Sequence, residues 1–351
     1  MEYDEARLNP FLMKTNMKPQ DAAPQTAPPI KPLPPLKEWE GRLLETLAHA
    51  ERAYRETLRS VAGMKIDSFP TAHGLLRSLR FEPRDPSRIA RSPMYFIHGY
   101  NALASQWVPQ GRALGQDRRI HAPDLLGHGL SDDPREEQDF SQALDGSLNE
   151  HFLGTLPHHD PGVVIGNSLG GWLAIRLALA FPERVKALVL ISPAGAPLSD
   201  EEYTQFVSGF RFEDARQAST FFAKLHGRSH ARTQGGLRGI VAEAKHQALG
   251  LAAGPVVRAL FRRRWIEALP RSISSAHFLS PAELQQLQMP ILFIWGKREA
   301  IMLPQMREWY RSHLPAHAEF LEPDEFGHCP QLDRPDDLNR LIQAFDERIS
   351  T

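Results

Sequence analysis

Gly166-Asn167-Ser168-Leu169-Gly170 is a G-x-S-x-G pentapeptide set between two apolar runs. Gly162-Val163-Val164-Ile165 reads as a short buried strand, and Gly171 to Phe181 reads as an apolar helix. A serine on a sharp strand-to-helix turn is pushed into the open beside backbone N–H groups, which suits a nucleophile. An ordinary βα turn carrying a solvated serine is the bland alternative, and the flanking strand and helix weigh against it.

A serine hydroxyl is a poor nucleophile near neutral pH. It needs a general base within hydrogen-bond reach, and the base needs an orienting carboxylate. Fifteen histidines compete for the first role. His328, in Phe326-Gly327-His328-Cys329-Pro330, follows the last expected strand and precedes the final expected helix, Pro335 to Ile349, so its loop can deliver an imidazole to Ser168. His313, in a helical pattern, and His317, just before a strand, are worse placed. For the carboxylate, the strand-like run Ile291 to Trp295 leads into Gly296-Lys297-Arg298-Glu299, which puts Glu299 at a carboxyl end too. Asp324, Glu325 and Asp200 are rivals, and Glu299 itself has the plainer reading of a surface charge paired with Lys297 or Arg298.

Acyl chemistry also needs donors for a developing oxyanion. Met94 to Ile97 reads as a strand running into His98-Gly99-Tyr100-Asn101. The N–H of Tyr100 pairs naturally with that of Leu169, and each such donor contributes about 3 kcal/mol to the transition state. His98 lies ahead of the serine turn and reads as structural.

These residues require a scaffold. Leu75 to Phe81, Met94 to Ile97, Ile120 to Ala122, Val163 to Ile165, Ala187 to Ile191, Ile291 to Trp295 and Ala318 to Leu321 read as strands, mostly separated by helical patterns. The alternation predicts an α/β fold with a mostly parallel central sheet flanked by helices. Ligand sites in such sheets lie beyond the carboxyl ends of the strands, where Ser168 falls. The alternation stops between Ser199 and Ser280, which looks helical in pieces and carries +5 against −6 for the rest of the chain. An inserted helical cap over 199–281 follows, splitting the core into 64–198 and 282–351. Arg262-Arg263-Arg264 is its densest basic cluster, read as a solvated helix face or as an attractor for an anionic substrate, lipid head group or partner.

At the front, residues 1–37 are proline-rich and read as a disordered arm, with Pro32-Leu33-Pro34-Pro35 as a proline-motif ligand at most. Residues 38–63 form an N-terminal helix, with Leu43, Leu47, Ala50, Tyr54, Leu58 and Val61 recurring at helical steps. Its polar face mixes Glu and Arg, which favours packing on the domain body over lying on a membrane surface.

The bulk numbers exclude several classes. The 351 residues are 42% hydrophobic, enough for a large core. A net charge of −1 gives no case for nucleic acid or an anionic membrane. The lone cysteine, Cys329, excludes a disulfide framework and multi-cysteine metal sites, and reads as a small packing residue. The adjacent His158-His159 point apart and make a poor chelate. Met1 to Lys14 lacks the apolar core of a signal peptide, and no run reaches membrane-spanning length, so a cytoplasmic location is expected.

Taken together, His98-Gly99, Asp124-Leu125-Leu126-Gly127-His128-Gly129, the Ser168 turn, Trp295-Gly296 and Gly327-His328 fall in the order of a known family. Over about residues 64–350 the chain resembles α/β-hydrolase fold proteins of the lid-bearing esterase and lipase type. The Ser168 turn and Ser192-Pro193-Ala194-Gly195 resemble monoacylglycerol lipases and carbon–carbon bond hydrolases. The order Ser168, Glu299, His328 matches the family's Ser…Asp/Glu…His, although many relatives carry Asp where this chain has Glu299. The resemblance implies a carboxylic-ester hydrolase acting on a small, mainly apolar acyl substrate without cofactor or metal, and a structural turn at Asp124 and His128. Serine at the elbow argues against the dehalogenases and epoxide hydrolases of this scaffold, which use aspartate. Carbon–carbon or amide hydrolysis, haloperoxidase-like activity, and a low-turnover receptor or scaffold stay open.

Overall fold

The computed structural model describes residues 37–62, 64–135, 139–156, 160–225, 254, 256–261 and 263–350. The expected arm, apart from Lys37, lies outside these residues, as do His158-His159, Arg262 and the middle of the expected cap.

Eight strands make one sheet: β1 (Lys65–Thr71), β2 (Gly74–Phe81), β3 (Met94–Ile97), β4 (Ile120–Pro123), β5 (Gly162–Asn167), β6 (Val185–Ile191), β7 (Ile291–Ile294) and β8 (Glu319–Leu321). Their spatial order is β1-β2-β4-β3-β5-β6-β7-β8. β2 runs antiparallel to both neighbours and every other pair is parallel.

The central strands form because both faces are covered. Val163 and Ile165 of β5 face one apolar layer, with Trp107 and with Leu338, Ile342 and Phe345. Val164 faces the other, with Leu144, Leu148, Leu173 and Tyr310. The helices supplying these layers are α2 (Val108–Leu114), α3 (Phe140–Thr155), α4 (Leu169–Ala180), α9 (Pro304–His313) and, after the short α10 (Pro330–Asp333), α11 (Pro335–Arg348). A strand buried on both faces reads as a continuous apolar run, which is why β3, β5, β6 and β7 are visible in the sequence.

Register aligns the strand ends that matter. Ile97 sits opposite Gly166, Gly166 opposite Leu190, Ile191 opposite Ile294, and Ile294 opposite Leu321. The loops leaving β3, β5, β6, β7 and β8 therefore emerge on one rim. Between β6 and β7 the chain departs into α5 (Asp200–Ser208), α6 (Ala215–Leu225), helical residues 256–261 and α7 (Arg264–Ser272), and returns through α8 (Pro281–Leu284). These inserted helices lie over that rim.

Two elements differ from expectation. β1 was not anticipated: it is an edge strand, half-exposed along its length and containing Pro70, so it lacks an apolar run. The N-terminal helix, α1 (Glu38–Ala62), is present, but its docked face is rotated from the apolar stripe. Tyr54 is exposed, whereas Glu40 and Arg55 are fully buried.

Candidate active site

Ser168 stands between β5 and α4 with φ 57° and ψ −120°. A non-glycine residue there is strained, at a cost on the order of 1–3 kcal/mol, and persists only where its surroundings over-determine it. The surroundings do so. Ser168 N donates to Ile191 O at 2.9 Å, and its carbonyl accepts from Gly171, Trp172 and Ala194 at 3.0–3.2 Å. A β-carbon on Gly170 would collide with the carbonyls of Ile97 and His98, so the glycine lets the turn press against the β3 loop. That loop crosses the serine closely enough that a β-carbon on Gly99 would lie 3.2 Å from Ser168 Cβ.

Glu299 and His328 meet across the next two loops. Gly296 allows it: a β-carbon there would strike the Phe326 carbonyl, and the amides of Lys297 and Arg298 donate to Pro323 O and Phe326 O at 3.0 and 2.9 Å. His328 Nδ1 then lies 2.7 Å from Glu299 Oε2, with both side chains buried. The other oxygen, Oε1, accepts the Ile301 and Met302 amides at 2.7 and 3.0 Å. Burial works to raise the Glu299 carboxyl, but the adjacent His328 charge and the hydrogen bonds outweigh it and hold the group below its ordinary value. The Ser192 hydroxyl adds to this from nearby without a hydrogen bond of good geometry. A carboxylate only accepts, so Nδ1 carries the proton between the two side chains, and in the neutral ring Nε2 is left to accept. No hydrogen bond joins Nε2 to Ser168 Oγ among the described residues; such bonds are often long before substrate arrives.

The rival carboxylates are engaged elsewhere. Asp324 pairs with Lys297 at 2.6 Å, and Glu325 pairs with Arg298 and Arg334 at 2.6 and 2.7 Å. The two cations proposed as surface partners for Glu299 are therefore taken by its rivals. Asp200 opens α5 on the cap. Burial pushes the Cys329 thiol well up, in keeping with a packing role.

Tyr100 and Leu169 flank the serine with main-chain amides that no group engages among the described residues. The Tyr100 hydroxyl donates to Ile266 O of α7, and its ring packs edge-on to Phe210 and Phe261 at 5.6 and 5.5 Å. Tyr100 is thereby fastened to the inserted helices. His98 donates through Nδ1 to Gly99 O at 2.8 Å and accepts the Leu125 amide on Nε2 at 3.0 Å. Burial lowers its pKa, so it is a neutral brace. His128 donates through Nδ1 to Leu126 O and is likewise neutral, pushed down to about 3 by burial.

Sequence reasoning passed over Asn167 and Gln331. Asn167 Nδ2 donates to His328 O at 2.9 Å, and Asn167 Oδ1 accepts from Gln331 Nε2 at 3.0 Å. Asn167 occupies the free position ahead of the serine, where any residue type fits the pentapeptide.

A cavity of about 70 Å³ adjoins Ser168, lined by Leu169, Trp172 and Leu198 of the core and by Phe206, Phe210, Leu269 and Phe278 of the insertion. Ser168 is 8% exposed and His328 4%, so both side chains are largely buried. In the basic cluster, Arg263 donates to Gly127 O at 3.2 Å and Arg264 stacks over Trp265, with its guanidinium carbon 4.9 Å from the ring centroid.

The comparisons with known proteins agree on the fold. The chain is 28% identical over 261 residues to the pimeloyl-[acyl-carrier protein] methyl ester esterase of Nitrosomonas europaea, covering 72% of this chain and 94% of that one. Among solved structures it is similar to a bacterial membrane phospholipase A (TM-score 0.65, 20% identity, 89% and 94% covered). It is also similar to a meta-cleavage product hydrolase of Pseudomonas fluorescens (TM-score 0.58, 20% identity, 80% and 97% covered). Residues 92–335 match the alpha/beta hydrolase fold family, and with the eight-stranded sheet and the serine turn at its rim the chain belongs to that family.

Proposed function

We propose that the protein is a serine hydrolase that cleaves carboxylic esters of a mainly apolar acyl substrate through an acyl-enzyme. The observation that carries this reading is the buried His328–Glu299 hydrogen bond beside a serine held in a strained elbow. Ser168 Oγ attacks the ester carbonyl while His328 Nε2 takes its proton. Glu299 fixes the imidazole and stabilises the imidazolium that forms. The Tyr100 and Leu169 amides receive the oxyanion. His328 then returns the proton to the leaving alcohol, and a water activated by the same imidazole releases the acid. The apolar lining next to Ser168 supports an apolar acyl group, and the named esterase relative supports an ester bond.

The test is labelling of the folded protein with a fluorophosphonate, followed by a turnover panel of p-nitrophenyl esters, anilides and vinylogous diketones. The expected result is a label on Ser168 and turnover confined to the esters. Failure to label overturns the serine mechanism, and preferred turnover of the diketones replaces ester cleavage with carbon–carbon cleavage.

A further inference from the structure

α1 is docked in an unusual way. Its leucines Leu43, Leu44 and Leu47 are half-buried and Tyr54 is exposed, yet two charged side chains on it are fully buried. Glu40, near its start, accepts from Arg258 of the inserted helices at 2.6 Å. Arg55, fifteen residues on and so about 22 Å along the axis, donates through Nη2 to Oδ1 of buried Asp124 at 2.9 Å, with Nη1 in ion-pair contact 2.7 Å from Oδ2. An apolar contact would tolerate sliding, whereas a buried guanidinium–carboxylate pair with a directed, charge-assisted hydrogen bond fixes one register.

What Asp124 holds gives that register its meaning. Its carboxylate accepts the Ala104 amide at 2.7 Å and the Leu130 amide at 2.9 Å. The next residue, Leu125, donates its amide to His98 Nε2. Arg55 Nε also reaches the Ser105 hydroxyl at 3.1 Å, and Ser105 in turn donates to Glu51 of α1. The loop from His98 to Leu103 is therefore clamped at its start through His98 and at its end through Ala104 and Ser105. Tyr100, whose amide faces the oxyanion in the reading above, lies between the clamps. Arg55 lies ahead of the segment matched to the family, which begins at residue 92.

We propose that Arg55 is a positioning residue for the oxyanion loop, acting through Asp124 and Ser105. The proposal rests on the serine-hydrolase reading. A group that sets oxyanion geometry changes the transition state more than the ground state, so its loss falls on kcat.

The experiment compares Arg55→Lys and Arg55→Met with wild type on a p-nitrophenyl ester, with rates divided by the concentration of serine titrated by fluorophosphonate. Lys keeps the charge but lacks the planar fork needed to reach Asp124 and Ser105 at once. Expected is a kcat lower by about tenfold in Lys, and by more in Met, with KM within twofold. Affinity for a trifluoromethyl ketone, which forms a tetrahedral adduct, falls by the same factor as kcat/KM. A merely structural arginine lowers the melting midpoint and the titratable fraction but not the rate per titrated serine. Should Arg55→Met not fold, the Lys variant decides alone. Unchanged kcat and ketone affinity in folded Arg55→Lys overturn the proposal and leave the hydrolase reading standing. A wild type that neither labels nor turns over sinks both.

Discussion

Asn167 donates from its side-chain amide to the main-chain oxygen of His328, 2.9 Å away. The residue before Ser168 thus holds the loop that carries His328, and the loops leaving β5 and β8 are tied at one point. Asn167→Leu removes that donor, together with the acceptor for Gln331, and leaves buried partners unpaired. The expected loss is about 1–3 kcal/mol of stability, read by denaturant unfolding. Ester turnover drops at least tenfold per labelled serine, because a base displaced by an ångström loses much of its rate.

Ser168→Ala abolishes ester turnover and leaves the thermal midpoint near wild type, since alanine meets the same strain at φ 57°. Ser168→Gly is equally inactive but more stable, by roughly 1 kcal/mol, because glycine adopts that backbone freely. A glycine variant less stable than alanine would show that the elbow stores no strain.

Glu299→Gln lowers kcat by about three to four orders of magnitude, as loss of a triad orienter does. Asp324→Asn stays within a factor of two, because Asp324 faces solvent beside Lys297. Stopped assays on the two purified variants settle which carboxylate serves. A collapse in Asp324→Asn moves the acid one strand further along the sheet.

Stability falls in acid, with a sign set by buried histidines. Burial holds His121 at about 4 and both His128 and His151 at about 3. These lie below the unfolded value of about 6.5, so the unfolded chain binds more protons beneath that pH. Their contribution is complete above about pH 6.5 and is lost as pH falls toward the folded values, on the order of 2 kcal/mol per histidine by pH 5. The melting midpoint is expected to be flat from pH 7 to 8 and to fall steadily below about 6.5. In His151→Gln the slope of stability against pH is shallower by about 1.4 kcal/mol per unit in that range. A midpoint indifferent to pH down to about 4 contradicts the neutral, buried state of these rings.

How legible the protein was follows from what each element buries. β5, Gly162–Asn167, is apolar on both faces and declares itself. β1, Lys65–Thr71, is half-exposed and joined to β2 by main-chain pairing and polar side-chain pairs such as Arg80–Asp67, so no apolar run marks it. Ser168, Glu299 and His328 could be picked out at strand ends because the roles proposed for them each demand a residue type at a loop. The amides of Asn167 and Gln331 serve by orientation, and orientation is not written in residue type. Arg55 is harder still. A charge on a helix reads as solvent-facing, and only the packed turn at Asp124 shows that the docked face lies about one residue round from the apolar stripe. The insertion between β6 and β7 was legible as a break in alternation, but that Phe206 and Phe210 line the cavity at Ser168 is seen only in the structure.

The cavity beside Ser168 is small, about 70 Å³, and its walls are almost wholly aromatic and aliphatic. Phe206 and Phe210 of α5 are seated edge to face, and Phe210 stacks on Phe261, so the wall over the serine is built from rings that hold one another. For the ester cleavage proposed above, the consequence is that an acyl group would meet carbon surface on every side but that of Ser168, and its binding would rest on what it offers those rings.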